Sequence, residues 1–118
     1  MSTTKNFDKY VVRVSGGNSG RVGLLLCYSG NSFVGRIDFY AENATLPQDY
    51  LWHPNPVSTY VVLHMPVSRM ESVLSIVRNE KPLNLYISSN RGTGASTPGS
   101  GHIATTEKEP VGEEEGMP

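Results

Sequence analysis

The glycine-rich stretch "RGTGASTPGSG" at residues 91–101 is the first place in the sequence where chemistry could reside. A loop of this kind binds phosphate when it joins a strand to a helix in the order GxxxxGK followed by serine or threonine. Residues 94–101 have the glycine spacing, but Ser100 stands in the lysine position and Gly101 in the serine or threonine position. The glycine pattern of a dinucleotide-binding turn is incomplete as well. We therefore expect residues 90–101 to form a flexible loop between two strands, and the sequence leaves open whether a partner orders it.

The residue types most often used as nucleophiles or metal ligands are few and widely spaced. His53, His64 and His102 have no close-spaced partner of the kind that metal sites require. Cys27 lies in "VGLLLCY", the most apolar stretch, where a thiol packs in the core and its pKa is raised. We expect no catalytic residue, no metal site and no cofactor. A small enzyme whose site no motif reveals is the third of three functional hypotheses.

Basic and aromatic side chains support the second hypothesis, binding of single-stranded nucleic acid on a sheet face. Small β-barrels bind single strands by combining basic side chains with aromatic stacking platforms. The residues that would serve here are Lys9, Arg13, Arg36 and Tyr40. Residues 107–118 hold five Glu against one Lys, a balance of −4, whereas the rest of the chain carries +3. That positive charge is small for a nucleic-acid binder, and we expect the acidic segment to be a disordered tail.

The first hypothesis is a non-catalytic binding or assembly module. Residues 42–57 contain three prolines and the single tryptophan without sustained periodicity, which is typical of a long irregular loop. Apolar and aromatic side chains in such a loop are unfavourable when they are left in water. The residues that we expect to contact a partner, whose identity the sequence does not indicate, are Leu46, Tyr50, Leu51, Trp52 and His53.

Hydrophobic periodicity predicts the elements that position these residues. Alternating apolar residues predict strands at 9–15, 21–28, 32–41, 58–65 and 83–88 and a weaker strand at 102–106. The first three are joined by Gly/Ser/Asn links too short for a crossover helix, so we expect an antiparallel meander. In the third strand, alternation puts Phe33 on one side with Ile37 and Phe39. Apolar residues at helical spacing predict one helix at 66–79.

The predicted fold class is mainly β (α+β): a bent antiparallel sheet or small barrel of five to six strands, with one helix between strands 4 and 5. We expect a flexible N-terminus at residues 1–7, a single domain at 8–106 and the tail at 107–118. Apolar side chains lie on both sides of several strands, more than one helix can cover. We therefore expect either a curled sheet or self-association into a homo-oligomer.

The compartment is indicated by three features of the chain. No apolar run approaches the roughly 18 residues of a membrane-spanning helix. The N-terminus "MSTTKNFDKY" has no apolar segment of the kind that secretory signals carry, and one cysteine cannot form an internal disulfide. We expect a cytoplasmic protein with no membrane partner.

Overall fold

The computed structural model describes residues 2–14, 20–55, 57–80, 82–89 and 96–105. Its strands are β1 (Ser2–Phe7), β2 (Lys9–Val14), β3 (Arg21–Ser29), β4 (Ser32–Tyr40), β5 (Asp49–Asn55), β6 (Ser58–Pro66), β7 (Leu83–Ser89) and β8 (Ser96–Thr105). A 3₁₀ turn at Val67–Arg69 leads into the helix α1 (Met70–Asn79). No helix among these residues is long and apolar enough to cross a membrane.

The strands form one eight-stranded sheet in the order β1-β7-β8-β5-β6-β4-β3-β2. The mainly β class is confirmed, and so is the β2-β3-β4 meander; β7 and β8 also pair antiparallel. The expected count of five to six strands is wrong. The sheet is also mixed rather than wholly antiparallel, because β4 and β6 run parallel. These two strands are not consecutive: the chain between them forms β5, which pairs with the far side of β6.

Two strands account for the miscount. β1 occupies the segment that we expected to be a flexible N-terminus, and it pairs with β7 from Ser2 to Phe7. Only Phe7 of this strand is buried, so its sequence carries no alternation, and the backbone ladder alone defines it. β5 lies within the proline-rich stretch that we expected to be a loop, between β6 and β8.

The prediction of a flexible loop at residues 90–101 is wrong for its second half. Residues 96–101 belong to β8: residues 96–99 pair with β5, residues 99–101 pair with β7, and Gly99 has a register partner in each. Backbone pairing, first on one edge and then on the other, holds this glycine-rich sequence extended. Residues 90–95 and the acidic tail at 107–118 lie outside the described residues.

The sheet is open but strongly curled. β1 and β2 lie at its opposite edges, yet Asp8 alone separates them along the chain. The two edges must therefore approach each other at Asp8, and β1 also contacts β3, β4 and β6. The Asp8 backbone N–H donates to the Tyr28 carbonyl at 3.0 Å, and the Asp8 carboxylate accepts from the Gly30 N–H at 3.0 Å. These bonds hold Asp8 against the end of the β3-β4 hairpin, and we call this meeting point of the two edges the seam.

The core fills the inside of the curl. The strands at the two ends of the strand order curl towards each other as two facing walls. The buried side chains of the core come from both walls and from α1: Phe7, Leu25, Cys27, Ile37, Phe39, Leu51, Val61, Leu63, Val73, Val77, Leu83, Leu85 and Ile87. Gly35 allows the walls to meet, because a Cβ there would lie 2.7 Å from the Leu85 Cδ1 of the opposite wall. Curling shelters this apolar side without a second copy of the chain.

One α-helix is present among the described residues, but the predicted position is not matched: Pro66 ends β6, and α1 begins at Met70 and lies between β6 and β7 rather than between the fourth and fifth strands. Val73 and Val77, one turn apart, are its buried contacts with the core. Glu71 in the first turn and Arg78 in the last complement the helix dipole. α1 thus packs on the inner side of the sheet, and we call the opposite side the outer face.

Candidate functional site

A β-bulge in β3 brings Arg21 to the outer face. The β3-β4 register passes from Gly23↔Phe39 to Arg21↔Tyr40, so Val22 is an extra residue. An extra residue reverses the alternation of side chains beyond it. Arg21 therefore lies beside Asp38, with Nη1 3.8 Å from Asp38 Oδ2, rather than on the core side with Gly23.

A second bulge, in β4, does the same for Phe33. The register passes from Cys27↔Gly35 to Tyr28↔Phe33 and leaves Val34 as the extra residue. Our expectation that Phe33 shares a side with Ile37 is wrong for this reason: its ring contacts Tyr28 on the outer face. Val34 packs against the core instead.

Four aromatic rings form a continuous series on the outer face, which we call the ring row: Tyr28, Phe33, Tyr60 and Trp52. Ring centroids are 5.7 Å apart for Tyr28 and Phe33, 5.0 Å for Phe33 and Tyr60, and 5.4 Å for Tyr60 and Trp52. Interplanar angles of 52–69° make each contact tilted or edge-to-face, the arrangement that ring quadrupoles favour. All four side chains are half-buried, so the row combines mutual support with accessible apolar surface.

A buried carboxylate with cationic partners lies on the same face, separated from the ring row along the β3-β4 ladder by the Leu26–Arg36 pair. The Asp38 side chain is only 3% exposed, and Arg36 Nε donates to both of its oxygens, at 3.1 and 3.2 Å. Arg36 is held from its other end by the Tyr50 hydroxyl, 3.5 Å from Nη2. A buried charge must be paired in this way because desolvation is otherwise costly. The network therefore fixes the direction of the Arg36 guanidinium.

His64 connects this network to the neighbouring strands. Its backbone N–H donates to Asp49 Oδ1 at 2.7 Å, and its ring Nδ1 lies 3.3 Å from the same oxygen. Its Nε2 lies 3.8 Å from Asp38 Oδ2. The Tyr40 and Tyr50 rings flank the imidazole, with centroids at 5.9 and 5.8 Å. His64 is 3% exposed and thus serves as a tie between β4, β5 and β6 rather than as a surface group.

Chemistry at this network is limited by burial. A general base must reach the proton that it removes, and Asp38 and His64 are both covered by neighbouring side chains. Within the part of the chain that the structure describes, no three His, Cys, Asp or Glu side chains are arranged to hold a metal ion. Burial raises the pKa of the Cys27 thiol to about 12, so the thiolate that nucleophilic chemistry requires is suppressed.

The residues expected to contact a protein partner do not form one surface. Tyr50 and Trp52 lie on the outer face, but Leu51 alternates with them and is a core residue, 3% exposed. The expectation for Leu51 is wrong because β5 is an inner strand of the sheet, not a loop. Leu46 is 39% exposed in the preceding loop, and His53 Nδ1 lies 3.3 Å from Thr59 Oγ1.

The residues of the nucleic-acid hypothesis share the outer face. Lys9 is the register partner of Tyr28, and Arg13 is the partner of Leu24, which in turn lies opposite Asp38. Arg36 and Tyr40 lie in β4 on the same side as Asp38. Their binding role stays a prediction. The sequence did not reveal that Phe33 lies on the outer face, because a bulge leaves no recognisable pattern in the sequence. Alternation in β6, in contrast, does place Tyr60 and His64 on one side.

A pocket lies where the β1 and β2 edges meet at Asp8. Its volume is about 510 Å³, and it is lined by Phe7, Asp8, Lys9, Tyr10, Val77, Arg78 and Leu83. It lies between the β1-β2 junction and the last turns of α1. Lys9 borders both this pocket and the ring row.

Comparison of the chain with protein-family models, with curated proteins and with solved structures finds no match.

Proposed function

We propose that the protein is a non-catalytic binding module whose contact surface is the ring row with its adjoining basic residues. The observation that carries the proposal is the continuous series of four half-buried rings on the side of the sheet opposite α1. Aromatic side chains supply large contact areas at low cost in conformational entropy, because few torsions have to be fixed. Their mutual contacts hold the rings in place before a ligand arrives.

Preorganisation by the buried network supports the same proposal. Asp38 and Tyr50 hold Arg36 between them, so its guanidinium is oriented without a ligand. A binding surface gains affinity when its groups need no further ordering. The burial of His64 and Asp38, in contrast, gives a substrate no direct access to either. Support of a surface, rather than turnover, is the role that this arrangement favours.

A surface probe is available in the chain itself, because Trp52 is the only tryptophan. We would titrate the protein with a single-stranded oligonucleotide, a proline-rich peptide and a neutral oligosaccharide, three ligand types that stack on aromatic side chains. Saturable change of Trp52 fluorescence that Tyr60→Ala abolishes, together with amide shifts confined to β3-β6, is the expected result. Tyr86→Ala is the matched control, since the Tyr86 ring stacks on His102 at 4.8 Å, outside the ring row.

The proposal would be overturned if saturable binding of these probes mapped to the seam pocket or to α1 and left Trp52 unchanged. It would also be overturned if none of the three bound at millimolar concentration.

Self-association is a second candidate, and one feature of the β2 edge favours it. β2 is an edge strand, and its Val11 and Val14 are 42% and 77% exposed. An edge with exposed β-branched residues can pair with the same edge of another copy. We therefore retain the homo-oligomer as a proposal. Light scattering across a hundredfold range of concentration should show a mass increase that Val14→Lys removes, and a concentration-independent monomer would end it.

A further inference from the structure

We infer that the ligand of the ring row is single-stranded nucleic acid, with bases stacked on the rings and phosphates next to Lys9, Arg13 and Arg36. This inference rests on the proposed function and names its ligand class. It is carried by the register, which brings basic residues from two strands to the side of the sheet that bears the rings.

The charge on this face is predominantly positive. Lys9 and Arg13 are exposed, and among the described residues neither forms an ion pair with a carboxylate. Arg36, 24% exposed, and Arg21, 41% exposed, share the buried carboxylate of Asp38, so these three groups together carry a formal net charge of +1. An anionic polymer is therefore a better electrostatic match for this face than a neutral or a cationic polymer.

The arrangement of rings and charges separates a single strand from a duplex. Stacking on Tyr28, Phe33, Tyr60 or Trp52 requires bases that are not already stacked in a helix. Duplex readout needs an element that enters a groove, whereas the outer face is a sheet surface whose rings lean on one another. Lys9 lies directly across from Tyr28, so a cation is present at the end of the ring row where a phosphate would follow a stacked base.

Sequence preference should be weak. Every base offers a π-face, so stacking alone selects none, and two polar groups near the row, Arg36 Nε and the Tyr50 hydroxyl, already bond to Asp38 and to Arg36 Nη2. Four rings match the lower end of the site sizes of single-strand-binding folds, about 4–16 nucleotides. Ten-nucleotide oligomers of deoxythymidine and of uridine are therefore suitable probes, and they separate DNA from RNA.

Fluorescence anisotropy with labelled oligomers tests the inference. Tyr60→Ala and Phe33→Ala should each weaken binding about 5- to 150-fold, the range measured for loss of one stacked base. Tyr60→Phe keeps the ring and should retain binding, and Tyr86→Ala is again the matched control. A duplex of the same length should bind at least tenfold more weakly.

A surface variant that leaves the core intact provides the second arm. Lys9→Gln with Arg13→Gln should reduce the slope of log Kd against log salt by about 1.4, since each single-strand phosphate contact contributes about 0.7. Arg69→Gln, at an exposed position in the 3₁₀ turn before α1, removes a cation elsewhere and should leave the slope unchanged. This arm remains informative if a ring variant fails to fold.

The outcomes distinguish the inference from the proposed function. Binding of either oligomer with the expected ring and salt dependence supports both. Binding that inorganic polyphosphate displaces equally from wild type and Tyr60→Ala overturns the inference, because charge alone would explain it. Absence of oligonucleotide binding, with saturable binding of the peptide or oligosaccharide at Trp52, overturns the inference and leaves the proposed function standing.

Discussion

Replacement of the buried carboxylate tests the organisation of the outer face most directly. Asp38→Asn preserves the size of the side chain, so it creates no cavity, but it removes the negative charge. Arg36 Nε, at 3.1 Å, then loses its ionic partner, and Arg21 and His64 face an amide instead of a carboxylate. We expect the protein to fold with reduced stability.

The magnitude follows from exposure. Removing one member of a fully buried ion pair costs about 3–5 kcal/mol, because the other charge is left without compensation. Arg36 is 24% exposed and Arg21 41% exposed, so water can partly replace the lost partner. The loss for Asp38→Asn should therefore be about 2–3 kcal/mol. With a urea m-value of about 1–3 kcal/mol per molar, the unfolding midpoint should fall by about 0.7–3 M.

Urea unfolding followed by Trp52 fluorescence measures this change. Asp8→Asn is the matched control, since the Asp8 carboxylate accepts one backbone N–H at an exposed position and its loss should cost less than about 1 kcal/mol. The Asp38→Asn/Arg36→Gln double variant should lose less than the sum of the two single variants. Equal, small losses for Asp38→Asn and Asp8→Asn would refute the ion-pair network, and strict additivity would refute its assignment to Arg36.

Two further predictions concern the core. The pKa of the Cys27 thiol is about 12 in the folded protein and 9.0 in the unfolded chain, so the unfolded thiol ionises first as the pH rises. Between pH 8 and pH 10 the free energy of unfolding should therefore fall by about 1.4 kcal/mol more for wild type than for Cys27→Ala. Parallel plots of that free energy against pH for the two proteins would contradict the burial of the thiol. Gly35→Ala places a Cβ 2.5 Å from the Val61 carbonyl oxygen and 2.7 Å from Leu85 Cδ1, so it should cost about 1–3 kcal/mol or more by unfolding midpoint. Gly30→Ala, in open space at φ 63°, should cost only about 1–2 kcal/mol, and the reverse order would count against close packing of the walls.

Elements with buried side chains on alternate positions were predictable. β3, β4, β6 and β7 each carry core residues at every second position over most of their length, and α1 carries Val73 and Val77 one turn apart. β1 was not predictable, because backbone pairing with β7 defines it and Phe7 is its only buried residue. β5 was hidden by prolines: Pro47 precedes the strand, and Pro54 lies near its end, where the β5-β6 register is irregular between Trp52 and Asn55.

Hydrophobic periodicity also does not predict that β4 and β6 pair in parallel. Short links favour antiparallel neighbours, and the link between β4 and β6 was expected to be irregular. In the structure that link forms β5, which reverses the chain and lets β6 run alongside β4 in the same direction. A strand missed in sequence thus changes the inferred geometry of its neighbours. It also moves Leu51 from a supposed contact loop into the core.

The candidate site depends on irregularities that alternation cannot encode. In a ladder without the first bulge, Val22 would lie opposite Tyr40, Arg21 would lie on the core side, and Asp38 would keep Arg36 as its one arginine partner. In a ladder without the second bulge, Val34 would be the register partner of Tyr28 and Phe33 would lie on the core side, so the row would lose its link from Tyr28 to Tyr60.

Both bulges lie in the single ladder between β3 and β4, one towards each end, and each brings an outer-face residue out of the core register. Bulges commonly redirect side chains next to functional sites, at the cost of a locally disrupted ladder. A bulge also bends its strand and increases the local twist, which suits the strong curl of this sheet. Both bulges therefore serve the fold, and they also bring Arg21 and Phe33 to the outer face, where we propose that binding takes place.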